Sequence, residues 1–146
     1  MKTIFKLDFM DCFLDEENRV FYHVWNRKPT SNEFRNGLIK VYENYLTHRE
    51  QYPILHWLAD TRNIGVLSID DQYWLDKVWN ELLFVKAKVK THAVIIGENV
   101  FAKYAMKKFK DQMLKVYEDQ NIHLDTFVNK EQAYDWFQAI EKEIAA

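Results

Sequence analysis

The stretch Asp60-Thr61-Arg62-Asn63, with Ser68 a few residues on, is where residue types and spacing in this sequence come closest to chemistry. It leaves the end of an apolar run and leads into a second element. In open α/β sheets, ligands and partners gather at that end of the strands, where loop polar groups and helix N-termini converge. Asp60 is an acceptor. Arg62 offers a planar, charged donor fork suited to an anionic group or a partner's carboxylate. The same two side chains, two residues apart, can instead clamp each other and fix the loop. Both readings stand on sequence alone, and Asp60, Thr61, Arg62 and Asn63 are the candidate partner- or ligand-binding residues.

His23, His56 and His92 each fall in an apolar, strand-like run and could meet in space as ligands or bases. Metal sites generally need three convergent ligands, and His23 and His56 can lie on different sheet faces, so ordinary structural histidines are the default. Cys12 is the only cysteine, which rules out an intramolecular disulfide and a Cys-rich metal site and fits a reducing compartment. Nothing places Cys12 beside a histidine as a nucleophilic pair, and the local signatures of such enzymes are missing. Three isolated glycines, Gly37, Gly65 and Gly97, cannot build a Rossmann fingerprint or a P-loop. There is no G-x-S-x-G elbow and no H-E-x-x-H. No catalytic residue, metal ligand or cofactor is therefore assigned. Trp57, Trp74, Trp79 and Trp136 could surround an apolar ligand, although helix-spaced aromatics more often cover a sheet.

The elements that must position these residues follow from periodicity. Thr3 to Phe9, Cys12 to Leu14 and Arg19 to Trp25 read as an antiparallel opening hairpin turning at Asp15-Glu16-Glu17-Asn18. Thr30 and Glu33 have the spacing of a capping box, and Phe34, Leu38, Val41, Tyr42 and Tyr45 share one helix face. Ile54 to Ala59 reads as a strand buried on both faces, ended by Asp60. Ser68 and Asp71 repeat the capping spacing before a stripe of Leu75, Val78, Trp79 and Leu82. Thr91 to Ile96 is a second buried strand, closed by Gly97. Asn99 can cap a helix carrying Phe101, Ala105, Phe109, Met113 and Val116. His123 to Val128 and a helix opened by Asn129 and Gln132, with Ala133, Trp136, Phe137, Ile140 and Ile144 inward, complete the chain. The order is β-β-α-β-α-β-α-β-α: one α/β domain over residues 1–146, with a mainly parallel sheet and an antiparallel edge strand.

Composition narrows the function classes. The 146 residues are 48% hydrophobic and 29% charged, ordinary for one globular domain with a substantial core. Five Trp, eight Tyr and ten Phe supply a large buried area per residue, and some of those rings are expected at a groove or interface. A net charge of −2 offers no global field for nucleic acid. From Lys86 to Lys115, however, eight lysines face only Glu98 and Asp111, a local charge of +6 that reads as a solvated helix face or a contact for an anionic partner. No run reaches the roughly 20 apolar residues of a membrane span and none forms a signal peptide, so the expectation is a soluble, cytoplasmic protein.

An apolar strand ending Leu58-Ala59-Asp60-Thr61-Arg62, a helix with Trp74, the strand Ala93-Val94-Ile95-Ile96 and the closing stretch from Phe127 to Phe137 resemble the STAS-like proteins. These include bacterial anti-sigma-factor antagonists and the cytoplasmic domains of sulfate transporters, and the likeness spans nearly the whole chain. It implies a divergent bacterial member acting as a non-catalytic regulatory or adaptor domain that binds another protein, as a monomer or a homodimer. Anti-sigma-factor antagonists carry a switch serine after a strand ending in Asp; Ser68 lies near that position, without the glycine that follows in the family pattern. The alternative implied by related folds is a binder or carrier of a small apolar or anionic lipid-like ligand. A partner-binding module would expose an apolar patch, and a carrier would enclose a pocket.

Overall fold

A computed structural model describes residues 1–97 and 100–145, with side chains throughout except at residues 100–102. The expected cap Asn99 and the Phe101 side chain lie outside the described residues. The chain runs β1 (Lys2–Lys6), β2 (Met10–Asp15), β3 (Val20–Trp25), α1 (Ser31–Arg49), β4 (His56–Asp60) and α2 (Ile69–Trp74). Two π-helical turns, Leu75–Trp79 and Glu81–Lys86, extend α2 toward β5 (Thr91–Ile95). Then come α3 (Val100–Val116), β6 (His123–Phe127) and α4 (Lys130–Ala145).

The opening contains three strands where the sequence suggests two. The run from Thr3 to Phe9 breaks at a tight reversal in which Leu7 N–H donates to Met10 O at 2.8 Å. Asp8 sits in that turn and accepts from Arg27 Nη2 at 2.8 Å, so a polar residue inside an apolar run marks the break. β1–β2 and β2–β3 pair antiparallel, whereas β3–β4, β4–β5 and β5–β6 pair parallel. The sheet order is β1-β2-β3-β4-β5-β6.

Strands laid down in sequential order through right-handed crossovers place every crossover helix on the same face. The larger core confirms that placement: Cys12, Phe21, Trp25, Trp57 and Val94 of the sheet pack with Phe34, Leu38, Val41 and Tyr45 of α1, with Trp79, Leu83 and Phe84, and with Met113 of α3. The Thr30–Glu33 capping box forms as its spacing predicts and sets the start of α1. Among the described residues, only α4 covers the opposite face, where Ala133 and Phe137 meet Val20, Tyr22, Leu58, Ala93 and Ile95.

Glu141 pins α4 to the sheet. Its carboxylate accepts from Arg19 Nε at 2.9 Å and Nη2 at 2.7 Å, and it lies 2.9 Å from His56 Nε2. The Arg19 bonds hold that carboxyl below its ordinary range, so it only accepts and His56 Nε2 carries a proton. Burial pushes the His56 pKa down. In the neutral ring, Nδ1 then accepts from Thr91 Oγ1 at 2.6 Å. The imidazole also stacks on Phe137, with centroids 4.2 Å apart and planes at 12°.

Three helical stripes differ from their sequence periodicity. In the π turns, Asn80 N–H bonds to Leu75 O and Ala87 N–H to Leu82 O, an i to i−5 pattern. These wider turns shift the buried positions to Trp79, Asn80, Leu83 and Phe84 and leave Val78 42% exposed. On α3, Phe109 and Met113 pack on the core as expected, but Ala105 and Val116 are exposed and Met106 packs as well. Ile144 is exposed because the last turn of α4 extends beyond its contacts with the smaller core.

Candidate functional site

β4 ends in a buried carboxylate. Asp60 Oδ1 accepts from Arg62 N–H at 3.2 Å and Nε at 3.0 Å, and Oδ2 accepts from Arg62 Nη2 at 2.6 Å and Tyr22 OH at 3.4 Å. Four donors occupy the acceptor sites of one carboxylate, so Asp60 holds the loop and has no spare capacity for an incoming group. Burial and the neighbouring Asp60 push the Tyr22 phenol up to about 12, which keeps it protonated and donating. Thr61 continues the anchoring: its N–H and its Oγ1 each donate to Ile95 O at 2.9 Å. Arg62 lies across Gly97, where a Cβ would meet its side chain at 3.4 Å. Gly97 adopts φ +69, a left-handed conformation that suits glycine as β5 ends.

Beyond the clamp the loop turns outward. Ile64 and Leu67 pack on the core, while Asn63 and the half-exposed Arg62 side chain face solvent. Val66 is 82% exposed, Ile69 83% and Tyr73 65%. Ile69 and Tyr73 are four residues apart on α2 and therefore share a face, and Val66 precedes them in the loop. Ser68 Oγ caps α2 by accepting Asp71 N–H at 3.1 Å. The Asp71 carboxylate leaves the cap and reaches α1, accepting from Ser31 Oγ at 2.7 Å and Arg35 Nε at 2.9 Å. Burial alone would raise that carboxyl, but these bonds hold it below its ordinary range. The Ser68–Asp71 spacing thus makes half of the expected box and ties α2 to α1 through the other residue.

The histidines divide between the two faces. His56 faces α4, whereas His23 and His92 point into the larger core on either side of Trp57, with ring centroids 5.8 Å and 6.3 Å from it. Burial pushes His23 down to about 4 and His92 down to about 3, so both are neutral at pH 7. Their Nδ1 atoms and Asn80 Nδ2 are buried without a hydrogen-bond partner. The structure also does what the sequence could not: it sets Cys12 directly opposite His23 across β2 and β3. Nucleophilic chemistry does not follow. Burial raises the Cys12 thiol to about 12, and neither group ionises to activate the other. Among the described residues, no three His, Cys, Asp or Glu gather as a metal site.

The tryptophans do not line one pocket. Within the larger core Trp79 stacks on Trp74 and meets Trp57 edge-on, while Trp136 packs on Phe127 across the sheet. Sequence points to the loop from Asp60 to Ser68 and the adjoining helix without singling out Val66, Ile69 and Tyr73, yet a signal for them existed. At 100° per residue Ile69 and Tyr73 lie about 120° around the helix from the Leu75 and Trp79 stripe, so they are apolar residues off the core-facing side.

The chain matches no protein-family model, and comparison with curated proteins and with solved structures finds no match. Among the described residues, no helix is long and apolar enough to cross a membrane.

Proposed function

We propose that this chain is a non-catalytic regulatory or adaptor domain of STAS-like fold that binds another protein through the loop from Asp60 to Ser68 and the outer face of α2. The observation that carries the reading is the exposure of Val66, Ile69 and Tyr73 on one continuous stretch beside the Arg62 fork. Exposed apolar groups rimmed by polar ones suit a docking surface, with the aromatic ring as anchor and Arg62 supplying the free donors of its guanidinium to a partner carboxylate. Asp60 and Thr61 then act as positioning residues, and Asn63 and Arg62 as contacts. Ser68 belongs to the same reading as a modifiable edge: a phosphate there would sit at the start of α2 beside Asp70 and alter the charge of the docking surface.

The test is site-specific photocrosslinking from position 69 in the native cell extract, with position 144 as an exposed control. The captured protein is then purified and its affinity measured. Ile69→Asp is expected to weaken that affinity by roughly tenfold or more, the loss of one buried interface anchor. Unchanged affinity in Ile69→Asp removes this surface, and crosslinks only between copies of the chain would make it a homodimer contact instead.

A further inference from the structure

We infer that the two π turns, residues 75–86, form a flap that opens away from the sheet when His92 takes up a proton, while β4 and β5 beneath it stay paired. The opening concerns how this segment is held, not what binds to α2, so it stands apart from the docking surface.

The flap is tied at both ends and packed in between. Before it, the Asp71 carboxylate is fixed to α1 by Ser31 Oγ at 2.7 Å and Arg35 Nε at 2.9 Å. After it, Arg49 Nη1 of α1 donates to Ala87 O at 2.5 Å. Among the described residues, no hydrogen bond or ion pair from residues 75–85 reaches α1, α3 or the sheet; Val89 N–H on Leu83 O, at 3.1 Å, leads only into the following loop. Trp79, Leu83 and Phe84 therefore hold the middle of the flap by apolar packing alone. Asn80 Nδ2 in the flap and His92 Nδ1 in the sheet are both buried without a partner. Unpaired buried groups subtract from stability where they lie, and i to i−5 turns are a rare geometry seen mostly as single bulges. Such a segment belongs to the low-stability end of a fold, where local opening precedes global unfolding.

His92 connects that opening to acid. Its ring lies 6.1 Å from Phe84 of the flap and 6.3 Å from Trp57, which itself meets Trp79 at 5.8 Å. In the closed form the imidazole is buried and neutral at pH 7, held down to about 3 by burial and by the neighbouring His23. Among the described residues no carboxylate faces it. Cys12 and His23 lie on β2 and β3, Tyr45 of α1 packs on Trp57, Tyr117 after α3 packs on Phe84, and β6 contributes Leu124. Burial raises the thiol and both phenols, so none supplies a negative charge as pH falls. Asp60 lies on the opposite face bound to Arg62, and the charged side chains of the flap, Asp76, Lys77, Glu81 and Lys86, are exposed. A proton on His92 has no partner inside and is stabilised only by water, which the opened flap admits. The ring titrates near its ordinary value of about 6.5 when open and far lower when closed, so the closed form is fully favoured above that value and loses its advantage as pH falls.

The test is hydrogen exchange of the full chain, read by mass spectrometry at pH 7 and pH 5.5 and corrected for the intrinsic rate of each amide. The opening constant of residues 75–86 is expected to exceed that of β4 at both pH values and to rise about eightfold between them, the ratio for one ring released from burial to a pKa of about 6.5. His92→Phe is expected to abolish that rise and His23→Phe to keep it. β4 exchanges through global unfolding, so its own response to acid, which His23 and His56 share, remains in His92→Phe. Equal opening constants for the flap and β4 would mean that the flap opens only with the whole fold, and would overturn the inference. So would a flap constant unchanged between pH 7 and pH 5.5, a rise that survives His92→Phe, or a rise lost equally in His23→Phe. The first two outcomes are read on the parent chain and decide the matter even where a variant fails to fold.

Discussion

The guanidinium of Arg62 closes on the carboxylate of Asp60 two residues earlier, Nη2 to Oδ2 at 2.6 Å and Nε to Oδ1 at 3.0 Å. The carboxylate is buried and the arginine half exposed, so the pair is part of the fold before it is part of any contact. This changes how the loop must be tested. Arg62→Ala strands a buried charge and is expected to cost about 1–2 kcal/mol of stability, below the full value for a buried pair because solvent screens the arginine. Arg62→Lys keeps the charge but loses the fork, and should fall between. Urea unfolding reads both. An Arg62→Ala midpoint equal to that of the parent would mean that Asp60 does not depend on the clamp.

Acid should weaken the protein well before its carboxylates titrate. His23 and His92 have folded pKa values pushed below the unfolded value of about 6.5, to about 4 and about 3. A depressed imidazole contributes its full stabilisation above the unfolded pKa and loses it as pH falls toward the folded pKa, because the unfolded chain takes up the proton first. Between pH 6.5 and 5 each buried ring should cost about 2 kcal/mol, and His56, also lowered, adds in the same direction. Unfolding free energy measured across that window should fall with pH and flatten in His92→Phe. A flat profile in the parent chain would show that the rings are already solvated.

Asn80 is the polar residue that the π turns bring inside. Its Nδ2 has no partner while Trp79, Leu83 and Phe84 bury around it. Replacing an unsatisfied buried amide by an apolar group of similar size removes a desolvation cost of about 1 kcal/mol or more. Asn80→Leu should therefore raise the melting temperature by about 3 °C in a chain of this size. A lower melting temperature would indicate that the amide has a partner, such as an ordered water, that the substitution removes.

Much of the fold was legible before any coordinates. Thr30 with Glu33, and Asn129 with Gln132, mark helix starts because capping is local chemistry between residues three apart. The runs ending at Asp60 and Gly97 read as buried parallel strands because both of their faces are apolar. Where local patterns conflict with packing, they mislead. Asp71 has the spacing of a cap partner but bonds to α1, and the stripe through Val78 is displaced by two π turns. Neither change has a sequence signal, since each depends on what lies across the helix.

By itself the sequence determined the α/β alternation, the helix starts at Thr30, Ser68 and Asn129, and the loop after Asp60 as the place to look, all from contacts within a few residues. Only the tertiary structure decided that Arg62 turns back on Asp60, that Cys12 meets His23 across two strands, and that His92 meets Phe84 beneath the π turns. Spacing along one chain shows which side chains share a face. What that face meets is set by strand order and helix packing, which join residues far apart in sequence.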